Sequence, residues 1–130
     1  MELELRQSYL KNKTVNTIYF GGGTPSILSK SEIKFILDSI SNIYKIKENA
    51  EITLECNPDD LTENKLKALK EVGINRLSIG VQSFDDEDLR FMNRSHNAIQ
   101  SESCLKLAQQ VGFNNITIDL IYGLPNQNLA

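Results

Sequence analysis

The sequence predicts an α/β fold, a partial (β/α) barrel with parallel strands and about four βα units. Four short runs of β-branched and aromatic residues alternate with segments whose apolar residues recur at helical spacing. Such alternation is typical of parallel strands joined by right-handed crossovers. Four units do not close a barrel, so we expect residues 1–130 to form a single segment of a larger barrel, truncated at both ends. The alternative is a small four-stranded doubly wound domain.

The strands are predicted from their β-branched and aromatic content, and they cover 15–20, 51–56, 76–81 and 116–122. In the last three strands apolar and polar residues alternate with a period of two, so the polar residues of each strand share one face. Because a parallel sheet is normally apolar on both faces, this polar face requires an explanation. Near the carboxyl ends of the strands it carries Glu55, Gln82 and Asp119.

Burying these three side chains without partners would cost several kcal/mol each. A polar ligand at the mouth of the barrel would supply the partners. The alternative is that the groups satisfy one another or pair with nearby lysines and arginines. Agreement between three strands favours the ligand site. The same parity turns Cys56 toward the helices, as a core residue.

The helices are predicted from capping residues and apolar periodicity. A capping box, Ser29-Lys30-Ser31-Glu32, precedes apolar residues that recur at helical spacing as far as Tyr44. Gly73 and Gly112 are expected to end two later helices. Residues 1–12 resemble the end of a further helix. Three of the four internal helices are expected to begin at Ser29, Thr62 and Asn97. The fourth is expected to begin in the acidic run 85–88, because acids near a helix start complement the helix dipole.

Composition and charge exclude several classes of function. The chain has 14 basic and 17 acidic residues without a basic run, so we expect no nucleic-acid partner. No apolar stretch approaches the ~18 residues of a membrane helix, and the first residues are not a signal peptide, which favours a cytoplasmic location. Two cysteines and one histidine argue against a disulfide framework, a self-contained zinc site or a Ser-His-Asp triad. We assign no metal ligand and no catalytic residue.

The most informative local motif is Gly21-Gly22-Gly23-Thr24-Pro25, directly after the first strand. Three glycines leave the backbone without Cβ atoms, so a ligand can reach the main-chain amides and carbonyls. Pro25 cannot donate to a ladder and ends the strand. Because α/β sheets and barrels carry their chemistry at the carboxyl ends of strands, the motif predicts a small-molecule site.

Arg94 and His96 lie in a loop that precedes a predicted helix. A guanidinium at such a junction suits a carboxylate, which it can bind through two parallel hydrogen bonds. The alternative for Arg94 is a solvated surface charge. His96 is expected to be an exposed loop residue or a neighbour of the helix cap.

Five motifs in order along the chain carry a family resemblance. They are Tyr-Phe-Gly-Gly-Gly-Thr-Pro-Ser at 19–26, Leu-Glu-Cys-Asn-Pro-Asp at 54–59, Arg-Leu-Ser-Ile-Gly-Val-Gln-Ser-Phe at 76–84, Asn-Arg at 93–94 and Ile-Asp-Leu-Ile-Tyr-Gly-Leu-Pro at 118–125. On these motifs the chain resembles the radical S-adenosylmethionine enzymes. Within them it is similar to the oxygen-independent coproporphyrinogen III oxidase family and its haem-chaperone relatives of the HemW type. The resemblance covers nearly the whole chain, which implies an incomplete radical S-adenosylmethionine barrel.

The resemblance implies S-adenosylmethionine as a cofactor and assigns its site residue by residue. Gly22, Gly23 and Thr24 would lie against the methionine moiety, whose amino group the family holds through backbone atoms. This assignment agrees with the polar face inferred from the strands. The remaining positions that match family contacts to S-adenosylmethionine are Glu55, Gln82, Arg94 and Asp119.

The family also holds a [4Fe–4S] cluster on a Cys-x3-Cys-x2-Cys loop, and this loop is absent from the sequence. Cys56 and Cys104 are far apart and expected on the wrong faces, so they cannot replace it. The cluster is therefore expected in the parent protein, with ligands outside this chain. The segment by itself is expected to be catalytically inert.

Three functions stay open on the sequence. The parent is a haem chaperone that passes haem to an accepting protein, or a coproporphyrinogen III oxidase that decarboxylates a porphyrinogen propionate to a vinyl group. The third is an unrelated α/β barrel enzyme in which Glu55 and Asp119 bind a divalent metal. Phe20, Ser83 and residues 95–97 resemble the chaperone branch, so the chaperone is the main hypothesis. Whether the parent is an enzyme stays open, and its partners would be S-adenosylmethionine and a porphyrin or haem.

Overall fold

The computed structural model describes residues 14–125, and the helix expected at 1–12 lies outside this range. Four parallel strands form one sheet in the order β1-β2-β3-β4, which confirms the predicted α/β class. The strands are β1 Thr14–Phe20, β2 Lys45–Cys56, β3 Arg76–Gln82 and β4 Ile116–Leu120. The helices are α1 Lys30–Ser41, α2 Glu63–Glu71, α3 Asp86–Phe91 and α4 Ala98–Val111, and 3₁₀ turns lie at Pro25–Ile27 and Pro58–Asp60.

The predicted residues Ser29, Thr62 and Asn97 cap their helices, and Asp85, in the predicted acidic start, caps the fourth. Ser29 and Asn97 form reciprocal capping boxes, in which the cap side chain accepts from the third helical amide and that residue's side chain accepts from the cap amide. The Thr62 hydroxyl accepts from Lys65 N, and the Asp85 carboxylate accepts from the first-turn amides of α3. These contacts are local, so each helix start follows from sequence.

The helices cover one face of the sheet, and the hydrophobic core lies between them. The predicted alternation holds on this face for β2 and β3, whose apolar residues are buried or partly buried there. In β4, Ile116 and Ile118 are partly buried, whereas Leu120 is 54% exposed. Ile99, in the first turn of α4, is 75% exposed and does not belong to this core. The strand residues that contribute to the core are Ile52, Leu54, Cys56, Leu77, Ile79, Val81, Ile116 and Ile118.

Three predicted boundaries were wrong. Helix α1 ends at Ser41 rather than Tyr44, and β4 ends at Leu120 rather than Tyr122. Strand β2 begins at Lys45, six residues before the predicted start. The added segment is polar and carries no strand pattern; it is extended because it pairs with Thr14 and Val15 of β1, with an irregular register after that pair. Pairing between distant segments therefore decides this boundary.

The tip of β3 contains a bulge that the sequence does not reveal. Ile79 pairs with Ile118 and Gln82 pairs with Leu120, so three steps along β3 match two along β4. Gln82 takes a left-handed φ of 66°, and its carbonyl accepts from Ile121 N at 2.8 Å. A bulge next to a cavity re-aims the side chain that follows it. Within residues 14–125, no helix is long and apolar enough to cross a membrane.

Candidate functional site

A polar cavity of about 190 Å³ lies at the carboxyl ends of the strands, on the face that the helices leave uncovered. All four strand ends or the loops that follow them contribute to its wall. Six of the seven residues predicted from sequence line it, and Gly22 reaches it through a neighbouring hydrogen bond. The six are Gly23, Thr24, Glu55, Gln82, Arg94 and Asp119.

The glycine corner is joined to the tip of β2 through Glu55. Gly22 N donates to Glu55 Oε2 at 3.0 Å, and the Tyr19 hydroxyl donates to Glu55 Oε1 at 2.8 Å. Gly22 and Gly23 have φ values of 80° and 59°, which other residues rarely adopt. At Gly21 a Cβ would lie 2.7 Å from the Tyr19 ring and 3.0 Å from Glu55 Oε1. The bare backbone therefore lets Glu55 dock at this corner.

The hydrogen bond to Glu55 also sets the ionisation of Tyr19. Donating to a carboxylate raises the pKa of Tyr19 above its ordinary value of 10.0, since losing the phenolic proton would leave two negative groups facing each other. Tyr19 was not among the residues predicted for the site. Tyr19 points to the face opposite Phe20 and pairs with Thr53 of β2, which places its side chain on the polar face. The period-two alternation of the strands could therefore have identified it as a site residue.

Arg94 reaches across the cavity to two other elements. Its Nη2 donates to Asn57 Oδ1 at 3.0 Å and to Gly80 O at 3.2 Å. Arg94 Nε is buried and has no hydrogen-bond partner among the described residues. A buried donor without an acceptor costs ~1–3 kcal/mol. An acceptor placed next to Nε would remove this penalty, so Nε favours the binding of a ligand oxygen. Asn57 lines the cavity, and its contact with Arg94 adds it to the site.

Gly80 allows Gln82 and Arg94 to approach the floor of the cavity. A Cβ at position 80 would lie 2.9 Å from Gln82 Nε2 and 3.6 Å from Arg94 Nη2. Without a side chain there, the amide of Gln82 folds back over the strand. Ser78, two residues before Gly80 and on the same face of β3, also lines the cavity. Both residues belong to the polar set of β3, although neither Gly80 nor Ser78 was predicted as a site residue.

His96 is buried, which corrects the expectation of an exposed loop residue. It is 3% exposed, and its Nε2 lies 2.9 Å from Val81 O. Since a carbonyl only accepts, Nε2 carries the hydrogen. His96 Nδ1 is buried and has no partner among the described residues. The loop folds back onto β3, and sequence periodicity carries no information about such a contact.

The two cysteines lie in the core and not among the polar groups. Burial raises the pKa of Cys56 to about 12 and that of Cys104 to about 11. Cys56 adjoins the cavity wall, but the residue is only 5% exposed and packs in the hydrophobic cluster. Iron–sulfur ligands are thiolates, so neither residue fits a cluster.

The cavity offers charged and neutral groups but no metal cage. Across residues 14–125, no group of three or more His, Cys, Asp or Glu side chains is close enough to hold a metal ion. The charged residues of the wall are Glu55, Asp119 and Arg94, two acids and one base, so the wall is negative by one formal charge. Gln82, Asn57 and the glycine backbone supply neutral donors and acceptors. The arrangement suits a small polar ligand with both positive and negative groups.

The sequence of the chain is similar to those of known proteins of one superfamily. The sequence profile of the Radical SAM superfamily matches residues 2–130. The chain is 44% identical over 116 residues to the heme chaperone HemW of Bacillus subtilis (strain 168), a match that covers 88% of the chain and 31% of that protein. It is 34% identical over 120 residues to the oxygen-independent coproporphyrinogen III oxidase of Synechocystis sp., covering 92% of the chain and 26% of that protein.

A solved structure agrees with these sequence matches. The coproporphyrinogen III oxidase HemN of Escherichia coli, described as a Radical SAM enzyme, superimposes with a TM-score of 0.80 at 36% identity, covering 88% of this chain and 26% of that one. The chain therefore spans about a third or less of the length of the relatives it matches. The family match, the sequence identities and the superposition confirm the predicted HemW- and HemN-like class.

Proposed function

Because the chain belongs to the radical S-adenosylmethionine superfamily, we propose that its polar cavity binds S-adenosylmethionine in a haem chaperone of the HemW type. The superfamily uses S-adenosylmethionine together with a [4Fe–4S] cluster. The family match also removes the third alternative, an unrelated metal-dependent barrel. The residues proposed to contact S-adenosylmethionine are Gly22, Gly23, Thr24, Glu55, Gln82, Arg94 and Asp119.

The charge of the cavity wall supports this ligand. S-adenosylmethionine carries two positive centres, a sulfonium and an ammonium, and one carboxylate. Glu55 and Asp119 complement the positive centres or the ribose hydroxyls, and Arg94 complements the carboxylate. A wall that is negative by one formal charge thus faces a ligand that is positive by one. The opposite balance would favour a phosphate ligand.

The observation that carries the proposal is the unpartnered Nε of Arg94. Two of the guanidinium's contacts, to Asn57 and Gly80, fix its plane, and the free N–H points to a missing acceptor. A ligand carboxylate supplies that acceptor and converts a buried penalty into a charge-assisted hydrogen bond. Among the described residues, no other charged group in the wall of the cavity has a comparable vacancy.

The size of the cavity limits what it encloses. About 190 Å³ is smaller than the ~300–1,000 Å³ of pockets that enclose a whole drug-sized ligand. We therefore expect the described residues to surround the methionine moiety and part of the ribose. The remainder of the ligand would extend over the open face of the sheet.

The described residues do not fit the iron–sulfur cluster, since both cysteines are buried thiols of raised pKa. A cluster, when bound, supplies the electron that cleaves the sulfonium. Its ligands are proposed to lie elsewhere in the protein. The residues of this chain bind and orient S-adenosylmethionine and keep its carboxylate in place.

Calorimetric titration of the full-length protein with S-adenosylmethionine tests the proposed site. We expect saturable binding by the wild type and a loss of ~1–3 kcal/mol for Arg94→Ala, because a charged hydrogen bond is removed. Arg90→Ala, on the exposed side of α3, is the matched control and should bind as the wild type does. Equal affinities for all three proteins would refute the assignment.

The choice between chaperone and oxidase rests on sequence identity. The chain is 44% identical to a HemW and 34% identical to a coproporphyrinogen III oxidase over similar lengths. We therefore propose haem as the second ligand of the whole protein, a haem-accepting protein as its partner and the cytoplasm as its location. The alternative is coproporphyrinogen III oxidation, supported by the TM-score of 0.80 with HemN.

Two assays on the full-length protein separate these functions. A chaperone should show a saturable Soret shift on haem titration and no turnover of coproporphyrinogen III. An oxidase should convert coproporphyrinogen III under reducing, anaerobic conditions. Turnover without haem binding would overturn the chaperone proposal.

A further inference from the structure

Three consecutive residues of the loop that carries Arg94 form side-chain hydrogen bonds to other parts of the molecule. Arg94 binds Asn57 and Gly80, the Ser95 hydroxyl donates to Asp59 Oδ2 at 2.8 Å, and His96 donates to Val81 O at 2.9 Å. Of the three loop residues only His96 is buried, and Ser95 is exposed. The contact shielded from water is therefore the one made by His96.

His96 and Arg94 bind neighbouring carbonyls of the same strand tip. Gly80 O accepts from Arg94 Nη2 at 3.2 Å, and Val81 O accepts from His96 Nε2 at 2.9 Å. These two carbonyls lie within the bulge, where the regular pairing between β3 and β4 is interrupted. The bulge thus makes main-chain acceptors available to side chains of the loop.

The backbone of the loop gives Arg94 few other restraints. Asn93 takes a left-handed φ of 54°, and Arg94 N donates to Leu89 O at 2.9 Å, so the chain turns sharply at the end of α3. Past this turn, the direction of the guanidinium depends on where the following residues are held. His96 lies two residues after Arg94 and fixes that end of the turn on β3.

We propose that His96 is a positioning residue: its buried hydrogen bond to Val81 O holds Arg94 and the tip of β3 in the geometry that binds a ligand carboxylate. The inference rests on the proposed S-adenosylmethionine site and extends it to a residue outside the cavity wall. His96 acts through Arg94 and makes no contact with the ligand.

A double-mutant cycle on the full-length protein measures this dependence. His96→Leu keeps the apolar volume and removes the donor, whereas His96→Gln keeps an amide donor of similar reach. We expect His96→Leu to weaken S-adenosylmethionine binding about 10-fold, the scale of a lost charged hydrogen bond. We expect His96→Gln to restore most of it. In an Arg94→Ala background, His96→Leu should cause no further loss.

A second ligand separates positioning from general destabilisation. 5′-Methylthioadenosine lacks the amino-acid carboxylate, so its affinity should be equal in the wild type and in His96→Leu. Cys104→Ala removes a buried side chain from α4 and should lower stability without changing either affinity. If His96→Leu does not fold, His96→Asn, whose shorter amide does not reach Val81 O, takes its place.

The outcomes distinguish the inference from the proposed function. Weaker binding of both ligands by His96→Leu, or additive losses in the double mutant, would overturn the positioning role. Wild-type protein that binds no S-adenosylmethionine would overturn the proposed function instead. In that case a crystal structure of His96→Leu still decides the inference: Arg94 Nη2 should leave Gly80 O, and an unmoved Arg94 would refute it.

Discussion

Gly22 N donates a hydrogen bond to Glu55 Oε2 at 3.0 Å, which ties the corner after β1 to the tip of β2. The second oxygen of the same carboxylate accepts from the Tyr19 hydroxyl. Glu55 is therefore held at both oxygens before any ligand arrives, and each oxygen retains acceptor capacity. A carboxylate fixed in this way is preorganised for a ligand cation or hydroxyl, because little conformational entropy is lost on binding.

Replacing Glu55 by alanine should weaken S-adenosylmethionine binding by ~1–3 kcal/mol, since a charged acceptor is lost and Gly22 N is left unpaired. The measurement is calorimetric titration of the full-length protein. Glu63→Ala is the matched control, because Glu63 is exposed on α2 and contacts Lys67. The idea fails if Glu55→Ala binds as tightly as Glu63→Ala.

Replacing Gly80 by alanine should reduce affinity while leaving stability nearly intact. The new Cβ would lie 2.9 Å from Gln82 Nε2, so the amide must move, but φ at this position does not require glycine. Gly73→Ala is the counterpart: φ is 100° there and no atom lies within 4 Å, so we expect a loss of about 1 kcal/mol in stability and unchanged affinity. Urea unfolding measures the stability of both variants and calorimetry their affinity. Lower stability for Gly80→Ala together with lower affinity for Gly73→Ala would contradict the prediction.

Tyr19 should titrate above its ordinary pKa of 10.0, because its hydroxyl donates to the Glu55 carboxylate. The alkaline rise in tyrosine absorbance of the wild type, minus that of Tyr19→Phe, isolates this residue. In a Glu55→Gln background the same difference should move to lower pH, since the negative neighbour is gone. An identical titration midpoint for Tyr19 in the wild-type and Glu55→Gln backgrounds would argue against the contact.

The cysteines should resist alkylation in the native protein near neutral pH, because burial raises the pKa of Cys56 to about 12 and of Cys104 to about 11. Iodoacetamide labelling with peptide mapping should find both thiols unmodified in buffer and modified in urea. Rapid labelling of Cys56 in buffer would show that it is not a core residue.

The same thiols predict how stability depends on high pH. Their pKa is raised in the folded state, so their contribution is fully present below the unfolded thiol pKa of about 8.5. It decreases as pH rises toward about 11 and then about 12. Urea unfolding between neutral and alkaline pH should show a smaller decline for Cys56→Ala than for the wild type. Parallel curves would disprove the linkage.

Much of the fold could be predicted because its signals are local. Ser29, Thr62, Asp85 and Asn97 cap helices through amides at most three residues away. The period of two in the strands likewise identified the polar face that bears Glu55, and the family motifs identified the residues that meet in the cavity. The start of β2 at Lys45 escaped prediction because its extended form comes from pairing with β1.

The sequence by itself determined where the helices begin and which face of the last three strands is polar, because capping and side-chain alternation depend on neighbours within a few positions. Only the tertiary structure decided that His96 is buried against Val81, that β3 bulges before Gln82, and that Tyr19 holds Glu55. These contacts join residues that are far apart in the chain, such as Tyr19 and Glu55 or Ile79 and Ile118, and their formation depends on how the strands align in space.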